Sequence, residues 1–179
     1  SSGRKVKLAS IVDQTCEADV EGLGPKVVRR MFDDYETSRG AVPHQDIEPT
    51  ADQLAALRQL IADDYVPYAD FSIFGPHGRR LLKKLMFVSF VLSPEDGSWR
   101  RVELPGPPDF PTWWKSYRTL KCSFLLLQAV QTERLDNYGE LIRSFHDEYG
   151  PDVWFIIYQA DVRMRSEHFE RIRRKLERE

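Results

Sequence analysis

Cysteine is scarce in this chain, and what is missing narrows its chemistry before any pattern is read. Only two cysteines occur in 179 residues, Cys16 and Cys122, and they share no CxxC or Cys/His spacing. A disulfide framework and a zinc site are therefore not expected. Cys122 stands among Leu120, Phe124 and Leu125 and reads as a small buried hydrophobe in a reducing compartment. The four histidines, His44, His77, His146 and His168, form no HExxH. In His146-Asp147-Glu148 and Glu167-His168 the neighbours fall on different faces of a helix, so no metal and no cofactor is expected. A GxSxG elbow is absent, which removes the usual setting of an activated serine. No apolar run approaches the ~20 residues of a membrane-spanning helix, and no secretory h-region opens the chain. The expectation is an intracellular protein, cytoplasmic or nuclear, without a membrane partner. Net charge is only -2 and the pI about 6.1, short of the footprint of a strongly basic nucleic-acid binder.

What is present is enough apolar material, 41%, for one full core. Ser-Ser-Gly at the start reads as an expression scar, with residues 1–4 a tag remnant and 5–179 one globular domain. The RIRRKLERE segment has no stop signal, so the final helix is expected to continue into a longer protein.

Apolar periodicity gives the elements. Lys5 to Gln14 reads as an edge strand or extended arm. Pro25 stands at a first-turn position, Val27, Val28, Met31, Phe32 and Tyr35 recur at helical spacing, and Gly40 ends that helix. Thr50 and Gln53 make a capping box before Leu54, Leu57, Leu60 and Ile61, in a helix ending near Asp64. YVPYADFSIFG reads as an extended connection against the core, and Arg79 to Lys84 as a short basic helix. FVSFVL and WRRVEL flank a Pro/Asp/Gly turn and predict a β-hairpin, which must lie on helices to be stable. Asp109 caps a helix whose Trp113, Tyr117, Leu120, Phe124 and Leu127 share a stripe. Thr132 caps the next, with Leu135, Tyr138, Ile142, Phe145 and Tyr149 on one side and Gly150 as its stop. Those two helices should lie antiparallel. The fold class is thus α+β, mainly α: a helical, bundle-like domain with one hairpin and a long C-terminal helix.

Candidate binding residues follow from charge. The first 75 residues carry 8 basic and 13 acidic side chains, the rest 18 and 15. Gly75 to Gly78 before Arg79, Arg80, Lys83 and Lys84 is the nearest approach to an anion cradle, but it is not GxxxxGK[ST], and a tight turn before a solvated helix is the simpler reading. Arg100 and Arg101 on the hairpin, with Lys115 and Arg118 on the following helix, extend the basic set beside Trp99 and Trp114. Basic groups neutralise phosphates and aromatic faces stack on bases, so RNA or single-stranded DNA is the expected partner of these residues. The plainer alternative puts the cations on a solvated face and the tryptophans in the core. Asp33-Asp34 and Asp63-Asp64 read as solvated pairs near helix C-termini. In the last helix Asp161/Arg165, Glu167/Arg171 and Glu170/Arg174 are i, i+4 pairs that suit an exposed helix. Val162, Phe169, Ile172 and Leu176 make a stripe on which a second copy or a neighbouring domain can dock.

The strings KVKLASIVDQ, IEPTADQLAALRQL, DFSIFGPHGRRLLKKL, ELPGPPDFPTWWKSYR, ERLDNYGELIRSFH and IIYQADVRMRSEHFERIRR together resemble a multicopy family of uncharacterised proteins deduced from dinoflagellate algal genomes. The resemblance runs from about Lys5 to Arg174. Such copy number implies a mobile element, and longer members continue into a Cys/His-rich segment like a zinc knuckle. That organisation is similar to a gag-like protein, a helical assembly domain ahead of a nucleic-acid-binding knuckle. This chain carries no Cys/His segment, and the family supplies no catalytic residues. The resemblance and the residues together imply a non-enzymatic structural or interaction domain acting in self-assembly or nucleic-acid binding. An enzyme or a nuclease/recombinase accessory domain with a site assembled from distant residues is the alternative, as is a host scaffold domain.

Overall fold

The computed structural model describes residues 4–7, 19–62, 69–76, 84–129 and 131–176, with backbone alone at Lys7, Ala62 and 167–176. Within them five α-helices are joined by two small antiparallel hairpins, so the protein is mainly α with added β. Strands β1 (Lys5–Lys7) and β2 (Asp19–Glu21) pair first, with Val6 opposite Val20 and both buried. Of the edge strand or extended arm expected over Lys5 to Gln14, Lys5–Lys7 is a strand and 8–14 lie outside the described residues; its partner β2 has no sequence signal, because three residues are too few to show an alternation. Helix α1 (Pro25–Arg39) has Pro25 in its first turn and ends at Gly40, whose φ of 83° suits a residue without Cβ.

Helix α2 (Ala51–Ala62) opens on the expected capping box: Thr50 Oγ1 accepts from the Gln53 N–H at 3.0 Å and Gln53 Oε1 from the Thr50 N–H at 2.8 Å. Gln53 also donates from Nε2 to the Gly75 carbonyl, fixing the 69–76 segment against α2. There Ala69, Phe71 and Phe74 are buried on the core as expected, but the segment is turned rather than extended: the N–H groups of Ile73 and Phe74 both bond to the Asp70 carbonyl, and residues 65–68 lie outside the described residues. The predicted basic helix falls outside the described residues except for Lys84, which is half-buried and in no helix.

Strands β3 (Met86–Leu92) and β4 (Trp99–Pro105) form the expected hairpin, Leu92 facing Trp99 and Met86 facing Pro105. Helix α3 (Phe110–Leu126) is capped by Asp109, whose carboxylate accepts from the Thr112 N–H at 2.9 Å. Helix α4 (Thr132–Tyr149) differs from expectation: Gln131 is its N-cap, and Thr132 lies inside the first turn and accepts from Arg39 across to α1. Gly150 ends it as predicted, while Tyr149 is exposed. Asp33 and Asp34 lie in the middle of α1, not near its end, because the helix runs on to Arg39.

Contacts along α3 and α4 run in opposite order. Phe110 stacks on His146, Arg143 lies over Trp114, Tyr117 donates to the Leu135 carbonyl, and Lys121 pairs with Asp136. The two helices are therefore antiparallel. A 3-10 turn (Pro151–Val153) leads into α5 (Trp154–Leu176). The inner face of the β3–β4 hairpin rests on α5, where Phe87 meets Tyr158 edge-on at 5.2 Å and Gln159 donates to Ser89 Oγ at 2.7 Å. No helix among the described residues is long and apolar enough to cross a membrane.

Candidate functional site

The acid–base pair expected on an exposed helix lies instead at the centre of the protein. Asp161 is 0% exposed and Arg165 3%. The cause is register: Trp154, Ile157, Tyr158, Asp161 and Arg165 follow helical spacing along the buried side of α5, so the carboxylate takes a core position. An ion removed from water costs several kcal/mol unless its lone pairs are met, and here they are. Asp161 accepts from Trp113 Nε1 at 2.8 Å, from the Tyr138 hydroxyl at 2.7 Å and from Arg165 Nε at 3.0 Å. Arg165 in turn donates from Nη1 to the Ala69 carbonyl at 2.8 Å and lies 3.8 Å above the Phe71 ring.

This polar centre joins α3, α4, α5 and the 69–76 segment. Burial, followed by the Asp161 charge, pushes the hydroxyls of Tyr138 and Tyr117 well above the ordinary tyrosine range. Both stay neutral donors. With the Asp161 carboxylate fully enclosed and held by protein donors, the cluster has the character of a structural centre.

Cys122 is buried beside Leu54 and Leu126, and burial pushes its thiol up to about 12, so inert packing is the outcome. No group of three or more His, Cys, Asp or Glu able to hold a metal occurs among the described residues. Cys16 and His77 lie outside them, as does the side chain of His168.

The predicted phosphate contacts divide. Arg79, Arg80 and Lys83 fall outside the described residues. Arg100 and Arg101 are exposed on β4. Lys115 is exposed on α3, and Arg118 lines a groove of about 230 Å³ between α1, α3 and α4 with Arg39, Lys121, Asp136 and Glu140. Carboxylates share this groove with the cations: Lys121 pairs with Asp136, and Glu140 lines it as well. Of the four tryptophans, Trp113 and Trp154 are core, Trp114 is half-buried beneath Arg143, and Trp99 is 70% exposed. Of the predicted docking stripe, Val162 is half-buried against the core; the side chains of Phe169, Ile172 and Leu176 lie outside the description.

The surface that stands out is the outer face of the β3–β4 hairpin. Alternation sends Phe87 and Ser89 inward and Met86, Phe90 and Leu92 outward, opposite Pro105, Arg101 and Trp99. Phe90 remains 47% and Leu92 56% exposed, although Phe90 also meets Phe155 edge-on. The ladder fixes which backbone groups are free. Ser93 N–H bonds to Ser98 O and Gly106 N–H to Leu85 O, so Arg100, Val102 and Leu104 exchange their hydrogen bonds with β3. Trp99, Arg101 and Glu103 direct N–H and C=O outward from the sheet. No family model, no curated protein and no solved structure matches the chain.

Proposed function

We propose that the chain is a non-enzymatic interaction domain of a gag-like, mobile-element-derived protein that works in self-assembly through its β3–β4 hairpin. The observation that carries this reading is the exposed apolar side chains of Met86, Phe90, Leu92 and Trp99 on a hairpin whose β4 pairs, among the described residues, with β3 alone. Exposed apolar side chains grouped on one face and rimmed by polar residues, here Arg101 and Glu103, suit a contact surface. The enclosed Asp161 cluster supports the non-enzymatic part, since its carboxylate has no exposed surface. The α3–α4–α5 core is read as bundle-like, residues 5–179 as one domain, and α5 as a long helix whose Val162, Phe169, Ile172 and Leu176 offer a further protein contact.

Sedimentation velocity over a concentration series tests the reading. Association that weakens when Leu92→Asp and Trp99→Asp are combined supports it; a protein that stays monomeric to roughly millimolar concentration overturns it.

Nucleic-acid binding is a second reading, favoured by Trp99 standing exposed beside Arg100 and Arg101. Electrostatics argue for the first, because residues 86–105 hold two arginines against Glu95, Asp96 and Glu103. Anisotropy of single-stranded RNA and DNA at two salt concentrations separates the two. Binding that falls with salt, with Arg100→Ala/Arg101→Ala and with neutralisation of Arg79, Arg80, Lys83 and Lys84 would establish the nucleic-acid role.

A further inference from the structure

We infer that the partner of the hairpin is a second copy of this chain, bound by antiparallel pairing of β4 with β4 across a two-fold axis through Val102. The inference rests on the self-assembly reading and adds the partner and the register. Two-stranded ribbons leave both edges unpaired, and native proteins blunt an edge they do not use with charge or proline. β4 does carry charge at its open edge, but in an order that is its own complement.

A two-fold axis at Val102 sets Arg101 of one copy opposite Glu103 of the other, twice. The same axis sets Trp99 opposite Pro105. Arg101 and Glu103 are the residues whose N–H and C=O point away from β3, so each opposed pair closes two backbone hydrogen bonds between copies. Their side chains share the outer face, where opposed charges on neighbouring strands attract.

The competing registers fail. An axis at Arg101 opposes Arg101 to itself, and an axis at Glu103 opposes that carboxylate to itself, like charges in direct opposition. An axis at Arg100 or at Leu104 leaves the opposed pair without its complement, setting Trp99 against Arg101 or Glu103 against Pro105. Backbone pairing admits these registers and charge selects one of them, a four-stranded sheet ordered β3–β4–β4–β3. α5 lies under the inner face of β3, where Phe87 and Ser89 contact it, and among the described residues no strand but β3 pairs with β4.

An edge-to-edge contact of one seven-residue strand buries less than a standard interface, so the dimer should be weak, with a dissociation constant above about 1 μM. The test uses Arg101→Glu and Glu103→Arg, two exposed substitutions outside the core whose folding is checked by circular dichroism. Each variant alone opposes like charges and should dimerise about tenfold more weakly than the native chain. An equimolar mixture opposes unlike charges at both positions and should recover association to within about twofold, as a heterodimer, in sedimentation velocity with one partner labelled. Association of the mixture no stronger than that of either variant would overturn the register. The hairpin reading would survive that result if Leu92→Asp/Trp99→Asp still disperses the native protein. A native chain monomeric throughout would overturn both.

Discussion

Asp161 meets three side-chain donors, and its carboxylate is the counter-charge of the buried Arg165. Removing one member of a buried, paired set leaves an uncompensated charge, so Asp161→Ala should cost about 3–5 kcal/mol in urea unfolding. Tyr138→Phe, which deletes one donor and leaves the ion pair intact, should cost about 1–2 kcal/mol. Cys122 should resist thiol reagents in the native protein and react at the ordinary rate only after unfolding, since burial raises its pKa to about 12. The inward position of Asp161 was legible in principle. It continues the Trp154, Ile157, Tyr158 stripe, but an i+4 arginine makes the usual surface pair, and only the tertiary partners Trp113 and Tyr138 decide between the two readings.

Helix ends were the most readable elements, because a cap is a local event. Thr50 with Gln53, Asp109, Gly40 and Gly150 all act where the sequence puts them. Thr132 does not cap, since the helix starts one residue earlier than expected, with Gln131 as N-cap, and its hydroxyl instead accepts from Arg39 of α1. Accordingly Asp109→Ala should cost about 1 kcal/mol in thermal or urea unfolding, the usual worth of an N-cap. Gly139 was not singled out by sequence, because a glycine inside a helix carries no local signal. An added methyl group there would come within 2.9 Å of the Tyr117 ring. Gly139→Ala should therefore destabilise by about 1–3 kcal/mol, despite the better helix propensity of alanine, by forcing α3 and α4 apart. β2 was invisible for the opposite reason, a strand too short to alternate whose pairing comes from Lys5–Lys7 far back in the chain.

At the scale of the molecule, pH acts through the tyrosines. Tyr117 and Tyr138 are held protonated when folded, whereas in the unfolded chain they ionise near 10.0. Below that pH neither state loses a proton and the stabilisation is complete. Above it the unfolded chain binds fewer protons than the native one, so stability falls by about 1.4 kcal/mol per pH unit for each of the two. Denaturant midpoints from pH 8 to 11 should decline with a slope that Tyr138→Phe reduces. The candidate surface was half legible: the hairpin, Trp99 and the two arginines could be read from sequence, but which side of the ribbon faces α5 could not. That depends on Phe87 meeting Tyr158, a contact between residues 71 positions apart.

The polar centre also bears on how the chain is made. Trp113 and Tyr138 leave the ribosome well before Asp161 does, and for that interval an indole N–H and a phenol lack the acceptor they have in the finished protein. Ala69 waits longer still for Arg165. α3 and α4 can meet early through Tyr117 and Leu135, but they cannot close dry. Their buried hydrogen bonds are complete only when the first three turns of α5 arrive, so maturation of the core should come as one late step rather than helix by helix.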